Sequence, residues 1–472
     1  GDEEQADMST TTPPVETTPP VEPKHQRLRL FTIIGVIAVV IILAIGTLLV
    51  VKTVSDKRSV AERQAELEPF YTPPATIPPE PGTIIRSEPL GVDVPGGTGF
   101  RVLYTSTGFK GEPVAVSGMM FISNKPAPPG GRPVIGWAHG TVGLAPQCAP
   151  SRSKNVLGDT NNWLNTAMDR GWAVSATDYL GLGTPGPKSY LIGDQEAKDV
   201  VNSVRALRNF DQAQAGKRWV VWGHSQGGHS ALWTGSLAQE IAPELNLIGV
   251  GAAAPAAELL VIMQNQWAGK IGWVIGPEAL VSFQDRYPDR DFGAIVSDIG
   301  NRQLNTLVNE CTTGAALQGI TIEQFGGQFF KSSPIDSPAW AQTAIEQTPR
   351  PLPASMPLFM SEGTNDTIVL SGSNALMQEQ WCKAGSDMAV QWLGGVGHLQ
   401  VAIASGPTFI EWAVGQFEGR KATRNCTFPP ASAPYPAVTV PPEVLAAPVT
   451  QGTSNTTESA NPPAGTTPSP PS

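Results

Sequence analysis

Residues 218–228 read RWVVWGHSQGG, an apolar run that stops at a glycine and gives way to a serine between small residues. The run at 219–222 has the length and composition of a strand within a sheet. Helical text follows from Gly228 to Glu240. A G-x-S-x-G set, here Gly223, His224, Ser225, Gln226 and Gly227, occurs once in the chain. Its setting matters more than the match itself. A nucleophile elbow needs a strand, a turn too tight for side chains at its flanks, and a helix whose N-terminus points at the reacting oxygen. A chance match in a surface loop would carry neither the strand nor the helix.

Short apolar runs alternate with helical text on both sides of this turn. RVLYTS (101–106) and PVAVSGMMFIS (113–123) read as a hairpin, and RPVIGWAHG (132–140) and WAVSATDY (172–179) as further strands. LIGVGAAA (247–254), MPLFMSEG (356–363) and MAVQWLGG (388–395) follow the serine, while DQEAKDVVNSVRALRNF (194–210) is helical. Strands alternating with helices imply an α/β class with a mostly parallel sheet flanked by helices. With the elbow, this is the pattern of the α/β-hydrolase fold. The alternation breaks between about 260 and 351, where mixed helical text without a clear strand predicts an inserted, mainly helical cap; a second domain is the bland alternative. Trp267, Trp273, Phe283, Phe329 and Phe330 lie in that stretch. They could line an acyl pocket, though aromatic residues at such spacing are more often plain core.

Serine is a weak nucleophile unless a histidine, oriented by a carboxylate, takes its proton, and in this fold the order is Ser, acid, His. His25 precedes a long apolar run, His139 precedes the serine, and His224 and His229 belong to the elbow and its helix. His398, in the glycine-rich GGVGHLQ after the last strand-like run, is the expected base. Asp366 follows MPLFM by a short polar loop and is the expected acid; Glu362 belongs to the strand end and Asp387 precedes a strand. Asp178 lies before Ser225 and reads as loop support. Two backbone N–H groups must hold the developing oxyanion: that of Gln226, and one from WAHGTVG, where His139, Gly140 and Thr141 remain candidates. Gly181, Gly183 and Gly186 form a G-x-G-x-x-G set, but Pro185 removes an N–H where pyrophosphate would sit, so no nucleotide or other cofactor is expected.

The net charge of −10, with no basic stripe in the folded region, argues against a nucleic-acid partner and suits an uncharged or apolar substrate, which with the serine chemistry is expected to be a small-molecule or lipid ester. Residues 30–51 are uncharged and long enough, as a helix, to cross a hydrocarbon core of about 30 Å. They read as an uncleaved anchor rather than a cleaved signal. The expected organisation is a disordered acidic, proline-rich leader at 1–29, this span, a stalk at 52–82, the folded domain at 83–430, and a disordered tail at 431–472. Basic residues flank the span on both sides, so the cysteines decide its orientation. Cys148, Cys311, Cys382 and Cys426 show no zinc spacing, and no metal site is expected; they form either two disulfides, which would place the domain outside the cell, or buried thiols.

In order along the chain, WAHGTVG followed by QCAPS, then TDYLGLG, GHSQGG, GTNDTIV and GHLQ resemble the secretory lipase family, the lipase A-type enzymes of fungi and their bacterial relatives. The resemblance covers roughly residues 70–430. It implies an α/β-hydrolase fold with an inserted cap, lipase or esterase activity, a Ser225, Asp366 and His398 triad, and disulfides joining Cys148 to Cys311 and Cys382 to Cys426. The family usually begins with a plain secretory signal, where this chain has its long span. A single-pass membrane protein with its catalytic domain outside is therefore expected, and a secreted form is the alternative. Acyl transfer to another alcohol, or a surface-anchored binding protein without turnover, are the competing functions; three intact triad side chains argue against the latter.

Overall fold

The computed structural model describes residues 24–312, 319, 326–421, 424 and 426–450. The chain divides into two units, Gly1–Glu66 and Leu67–Ser472. The helix α1 (Lys24–Tyr71) runs through most of the described part of the first unit. From Thr32 it is long and apolar enough to cross a membrane, with a mean hydropathy of 3.2 over its most apolar window and none of that window buried.

The expected stalk is largely helix. Residues 52–68 contain no Pro or Gly to stop α1, and Arg58 pairs with Glu62 one turn on at 2.8 Å. In the second unit, Phe70 and Tyr71 pack against Leu103 and Ala115, and the Tyr71 hydroxyl meets the Ser151 hydroxyl at 2.7 Å. The folded unit thus begins at Leu67 rather than at 83. The tail differs too: the Tyr435 N–H donates to Gly372 O at 3.0 Å and the Asp291 N–H to Val449 O at 2.9 Å. Proline-rich chain has less entropy to lose, so a few such bonds suffice to lay residues 431–450 along the fold. Of the leader expected to be disordered at 1–29, residues 24–29 belong to α1, while 1–23, and 451–472 of the expected tail, lie outside the described residues.

Among the described residues one sheet holds nine strands: β1 (Ile84–Pro89), β2 (Gly97–Thr107), β3 (Pro113–Ser123), β4 (Arg132–Ala138), β5 (Ala173–Thr177), β6 (Ala215–His224), β7 (Asn246–Ala253), β8 (Leu358–Gly363) and β9 (Met388–Leu393). Their order is β1-β2-β3-β5-β4-β6-β7-β8-β9. The first three strands are antiparallel, β3 joins β5 antiparallel, and every pairing beyond is parallel. β1 is the strand that the apolar runs did not reveal. It is a half-exposed edge and carries no apolar stretch of its own.

The central strands are apolar throughout because both faces are covered. Successive residues point to opposite faces. Trp219 and Val221 of β6 join one core with Val200, Val204, Ala231 and Leu232 of α3 (Gly193–Arg208) and α4 (Gln226–Ile241). Val220 and Trp222 join another with Trp163, Phe409 and Trp412. The latter residues belong to α2 (Asn161–Asp169) and α10 (Val401–Phe417), and Trp222 stacks on Phe409 at 4.2 Å and 8°. Between β7 and β8 the chain leaves the sheet for α5 (Leu259–Gln266), α6 (Lys270–Arg286), α7 (Asp298–Val308) and α8 (Pro338–Gln347). This insertion has an aromatic core of its own, in which Trp340 meets Phe283, Phe292 and Phe330 with centroids 5.1 to 5.6 Å apart.

Glu278 of α6 is buried, and burial pushes its carboxyl from 4.5 up to about 8. Folding therefore raises its proton affinity, so stability is full below about 4.5 and is lost as pH rises toward about 8, by a few kcal/mol. Glu278→Gln removes the titration. The difference in melting temperature between variant and parent is expected to widen in the variant's favour from pH 4.5 to pH 8; a constant difference would overturn the assignment.

Candidate active site

Ser225 stands between β6 and α4 with φ 59° and ψ −117°, a region that side-chain-bearing residues rarely occupy. A Cβ at Gly223 would overlap the Gly227 carbonyl oxygen, and one at Gly227 would overlap that of Ala138. Glycine is thus required on both sides of the serine. The helix begins at Gln226, two residues before the expected Gly228, so Ser225 itself is its N-cap residue. First-turn N–H groups lack intrahelical acceptors and carry partial positive charge.

The loops after β8 and β9 bring two more side chains to this point. His398 Nε2 lies 2.8 Å from Ser225 Oγ, and its Nδ1 lies 2.6 Å from Asp366 Oδ2. Asp366 Oδ1 accepts the N–H groups of Ile368 and Val369 at 2.8 and 2.9 Å. A carboxylate held by backbone donors can only accept, so Nδ1 carries the proton and Nε2 is left as acceptor for the serine hydroxyl. All three side chains are nearly buried. Of the rival acids, Asp387 pairs with Arg424 at 3.1 Å just before β9, and Glu362, fully buried at the end of β8, accepts the Gly363 N–H at 2.8 Å and the Asn374 side-chain amide.

His224 belongs to the elbow and is tied to the serine through the backbone, yet its side chain reaches His398. Its Nε2 donates to the His398 carbonyl at 2.9 Å. Burial first, then the neighbouring His398, pushes its pKa down to about 3, so it is a neutral donor. Nothing in the spacing of residues 224 and 398 announces this contact.

Gly140 and Thr141 lie on the same cavity as Ser225, and a Cβ on Gly140 would stand 3.5 Å from the serine Cβ. His139 instead packs against Tyr179, with its Nδ1 2.7 Å from Gly140 O. The Gln226 side chain donates to Glu196 Oε1 at 2.7 Å, which fixes the first residue of α4. Asp178 accepts from Ser117 Oγ at 2.6 Å and Ser151 N at 3.0 Å, the supporting role expected of it. A Cβ at Gly181 would overlap the Pro187 carbonyl oxygen, so the G-x-G-x-x-G stretch is a loop packed on itself.

Disulfides join Cys148 to Cys311 and Cys382 to Cys426. The first ties the Gly140 loop to the insertion, where the Thr312 N–H also donates to Val142 O at 2.9 Å. The second links α9 (Ser371–Lys383) to the C-terminal segment. The cavity over Ser225 measures about 900 Å³, and its apolar wall comes from Leu259, Ile262, Ile271, Val274 and Ile275 of α5 and α6. None of the five aromatic residues lines this cavity: Trp273, Phe283, Phe329 and Phe330 lie in the core of the insertion with Trp267 packed against it, and Trp267, Phe283 and Phe330 also line a second, smaller apolar pocket together with Leu259, Ile262, Ile271 and Ile275. Among the described residues no three His, Cys, Asp or Glu side chains gather as metal ligands would.

The secretory lipase family model matches residues 156–425. Lipase 5 of Candida albicans is 25% identical over 303 residues, covering 59% of this chain and 64%, under two thirds, of that protein. A protein of Mycobacterium tuberculosis named probable inactive lipase MT1628 is 23% identical over 388 residues, 75% of this chain and 83% of that one. Among solved structures, Candida antarctica lipase A in its closed state superposes with a TM-score of 0.62 at 21% identity, covering 80% of this chain and 92% of that one. The family match takes in more than half of the chain, from the approach to α2 through the serine elbow and both downstream loops, and by it the chain belongs to the secretory lipase family.

Proposed function

We propose that this protein is a carboxylic ester hydrolase of lipase or esterase type, working through Ser225, His398 and Asp366. One observation carries the reading: an unbroken relay from Ser225 Oγ to His398 at 2.8 Å and from His398 to Asp366 at 2.6 Å, at the floor of a largely apolar cavity. In this scheme Ser225 Oγ attacks the ester carbonyl carbon while its proton passes to His398 Nε2. The oxygen that becomes negative is held by the Gln226 N–H and an N–H of Gly140 or Thr141. Collapse releases the alcohol, which takes the proton from His398 and leaves an acyl ester on Ser225. Water, losing a proton to His398, attacks that ester; the acid departs and Ser225 regains its proton. Asp366 stays ionised throughout and stabilises the imidazolium.

The substrate class is a lipid ester whose acyl chain lies along the aliphatic wall of α5 and α6, with the insertion as cap. The apolar part of α1 is the membrane anchor, and two disulfides suit an oxidising compartment outside the cell. Alkaline carbonate extraction should leave the full chain in the membrane pellet; release of the intact chain would count against the anchor. A non-catalytic reading has one observation behind it, the relative named as inactive. The intact relay weighs against it here.

Ser225→Ala is expected to abolish ester cleavage and labelling by a fluorophosphonate probe without unfolding the protein, since the hydroxyl contributes a reacting oxygen and little packing. Asp366→Asn should cost about 10⁴ in turnover, by analogy with serine proteases, while Asp387→Asn stays within about tenfold. Turnover retained by a folded Ser225→Ala protein overturns the mechanism. For the acyl wall, Ile275→Trp should slow p-nitrophenyl palmitate by about tenfold and spare p-nitrophenyl acetate, because extra volume in a fitted apolar site excludes the longer chain. Equal loss on both esters would mean that the wall is structural.

A further inference from the structure

Glu196 of α3 plays no part in the scheme above, yet it is fully buried and its carboxyl touches two segments that border the cavity. Oε1 accepts the Gln226 side-chain amide at 2.7 Å and the Leu191 N–H at 3.1 Å. Oε2 lies 3.4 Å from Nδ1 of His229, which is also fully buried. His229 Nε2 lies 2.7 Å from the Gln347 carbonyl oxygen, which can only accept, so Nε2 carries a proton. Nδ1 and Oε2 cannot face each other as two lone pairs, so a second proton lies between them. On either atom, that proton leaves Oε1 with lone pairs for Gln226 and Leu191.

That one oxygen stands behind both sides of the proposed oxyanion site. On one side it grips the first residue of α4, whose backbone N–H is a proposed donor. On the other it holds Leu191, which lines the cavity and has φ 56°, a conformation that residues other than glycine rarely adopt. Tyr190, the residue before, is buried and brings its hydroxyl to 3.1 Å from Thr141 Oγ1, in the loop that supplies the second donor.

We propose that Glu196 is a positioning residue for the oxyanion site, one carboxyl that fixes the Gln226 turn directly and the Thr141 loop through Leu191 and Tyr190. This rests on the triad reading above. Donors held in place beforehand need not move as charge appears on the ester oxygen, so Glu196 acts on the tetrahedral state and little on the bound ester. Its loss is therefore expected in kcat and in the affinity for a tetrahedral adduct, rather than in KM.

The test uses the full chain in detergent with p-nitrophenyl butyrate, comparing parent, Glu196→Gln, Glu196→Leu, Gln226→Met and Ser225→Ala. A trifluoromethyl ketone, whose carbonyl carbon takes the serine oxygen to leave a bound oxyanion, reads the tetrahedral state apart from KM. In Glu196→Gln the amide oxygen still accepts from Gln226 and Leu191 and the amide nitrogen donates to Nδ1 of a neutral His229, so kcat should stay within about threefold. Glu196→Leu keeps the bulk and removes the acceptor, while Gln226→Met keeps the backbone N–H and removes the side-chain donor. Each should lower kcat by about tenfold, part of the about 10²–10³-fold that outright loss of an oxyanion donor costs. Ketone affinity should weaken by a matching factor, with KM changed by less than about threefold. Activity in Ser225→Ala would sink the triad reading itself. With Ser225→Ala inactive, parental kcat in folded Glu196→Leu or Gln226→Met protein overturns the inference. So does a fall in kcat with parental ketone affinity, or a Glu196→Gln protein as impaired as Glu196→Leu. Should the leucine variant fail to fold, Gln226→Met decides.

Discussion

The backbone at Ser225, with φ 59° and ψ −117°, has a conformational cost of order 1–3 kcal/mol that the rest of the fold must offset. β6 does so by pairing on both sides, with β4 and β7, so its end cannot drift. The Ser225 N–H donates to Ala253 O at 2.9 Å and its carbonyl accepts from His229 N at 3.1 Å, which locks the turn between the next strand and the first turn of α4. Release of the strain would turn the hydroxyl away from the edge where the other groups meet. Gly223 and Gly227 are the residues that permit the lock, since neither position has space for a Cβ.

Parallel pairing does the remaining placement. From β5 to β9 every carboxyl end lies on one edge, so loops far apart in sequence converge there. The loop after β4 carries Gly140, that after β8 carries Asp366, and that after β9 carries His398. Each is held by something other than the contacts among Ser225, His398 and Asp366: the Cys148–Cys311 bridge for the first, backbone donors to Asp366 for the second, and His224 for the third. Groups supported in this way would need little reorganisation in the proposed reaction, where charge develops between them.

Beneath that edge lies a layer of buried carboxyls, each with polar partners. Asp199, pushed up to about 7 by burial, accepts from Ser106 at 2.6 Å and from the Leu180 N–H at 2.9 Å. Glu196 takes Gln226 and the Leu191 N–H, and Glu362 takes Asn374. An unpaired charge at such depth would be very costly, so these groups either collect donors or keep their protons. The result is a set of rigid supports under the loops, two of them adjacent to the residues proposed to react.

Local chemistry made much of this legible in the amino-acid sequence. Continuous apolar runs announced the central strands because both faces of a parallel sheet are dry, and the glycines around Ser225 announced the turn because no other residue fits it. Chain order and strand ends singled out His398 and Asp366 from their rivals. Half-exposed β1, the helical continuation of α1 and the docked segment 431–450 escaped, since each depends on contacts rather than on pattern. Which side chains of the insertion reach the cavity over Ser225, and how His224 braces His398, were decided only by tertiary structure. Hydrophobic periodicity records whether a side chain is buried, but a buried hydrogen bond depends on which distant residue arrives within about 3 Å, and only the folded chain determines that.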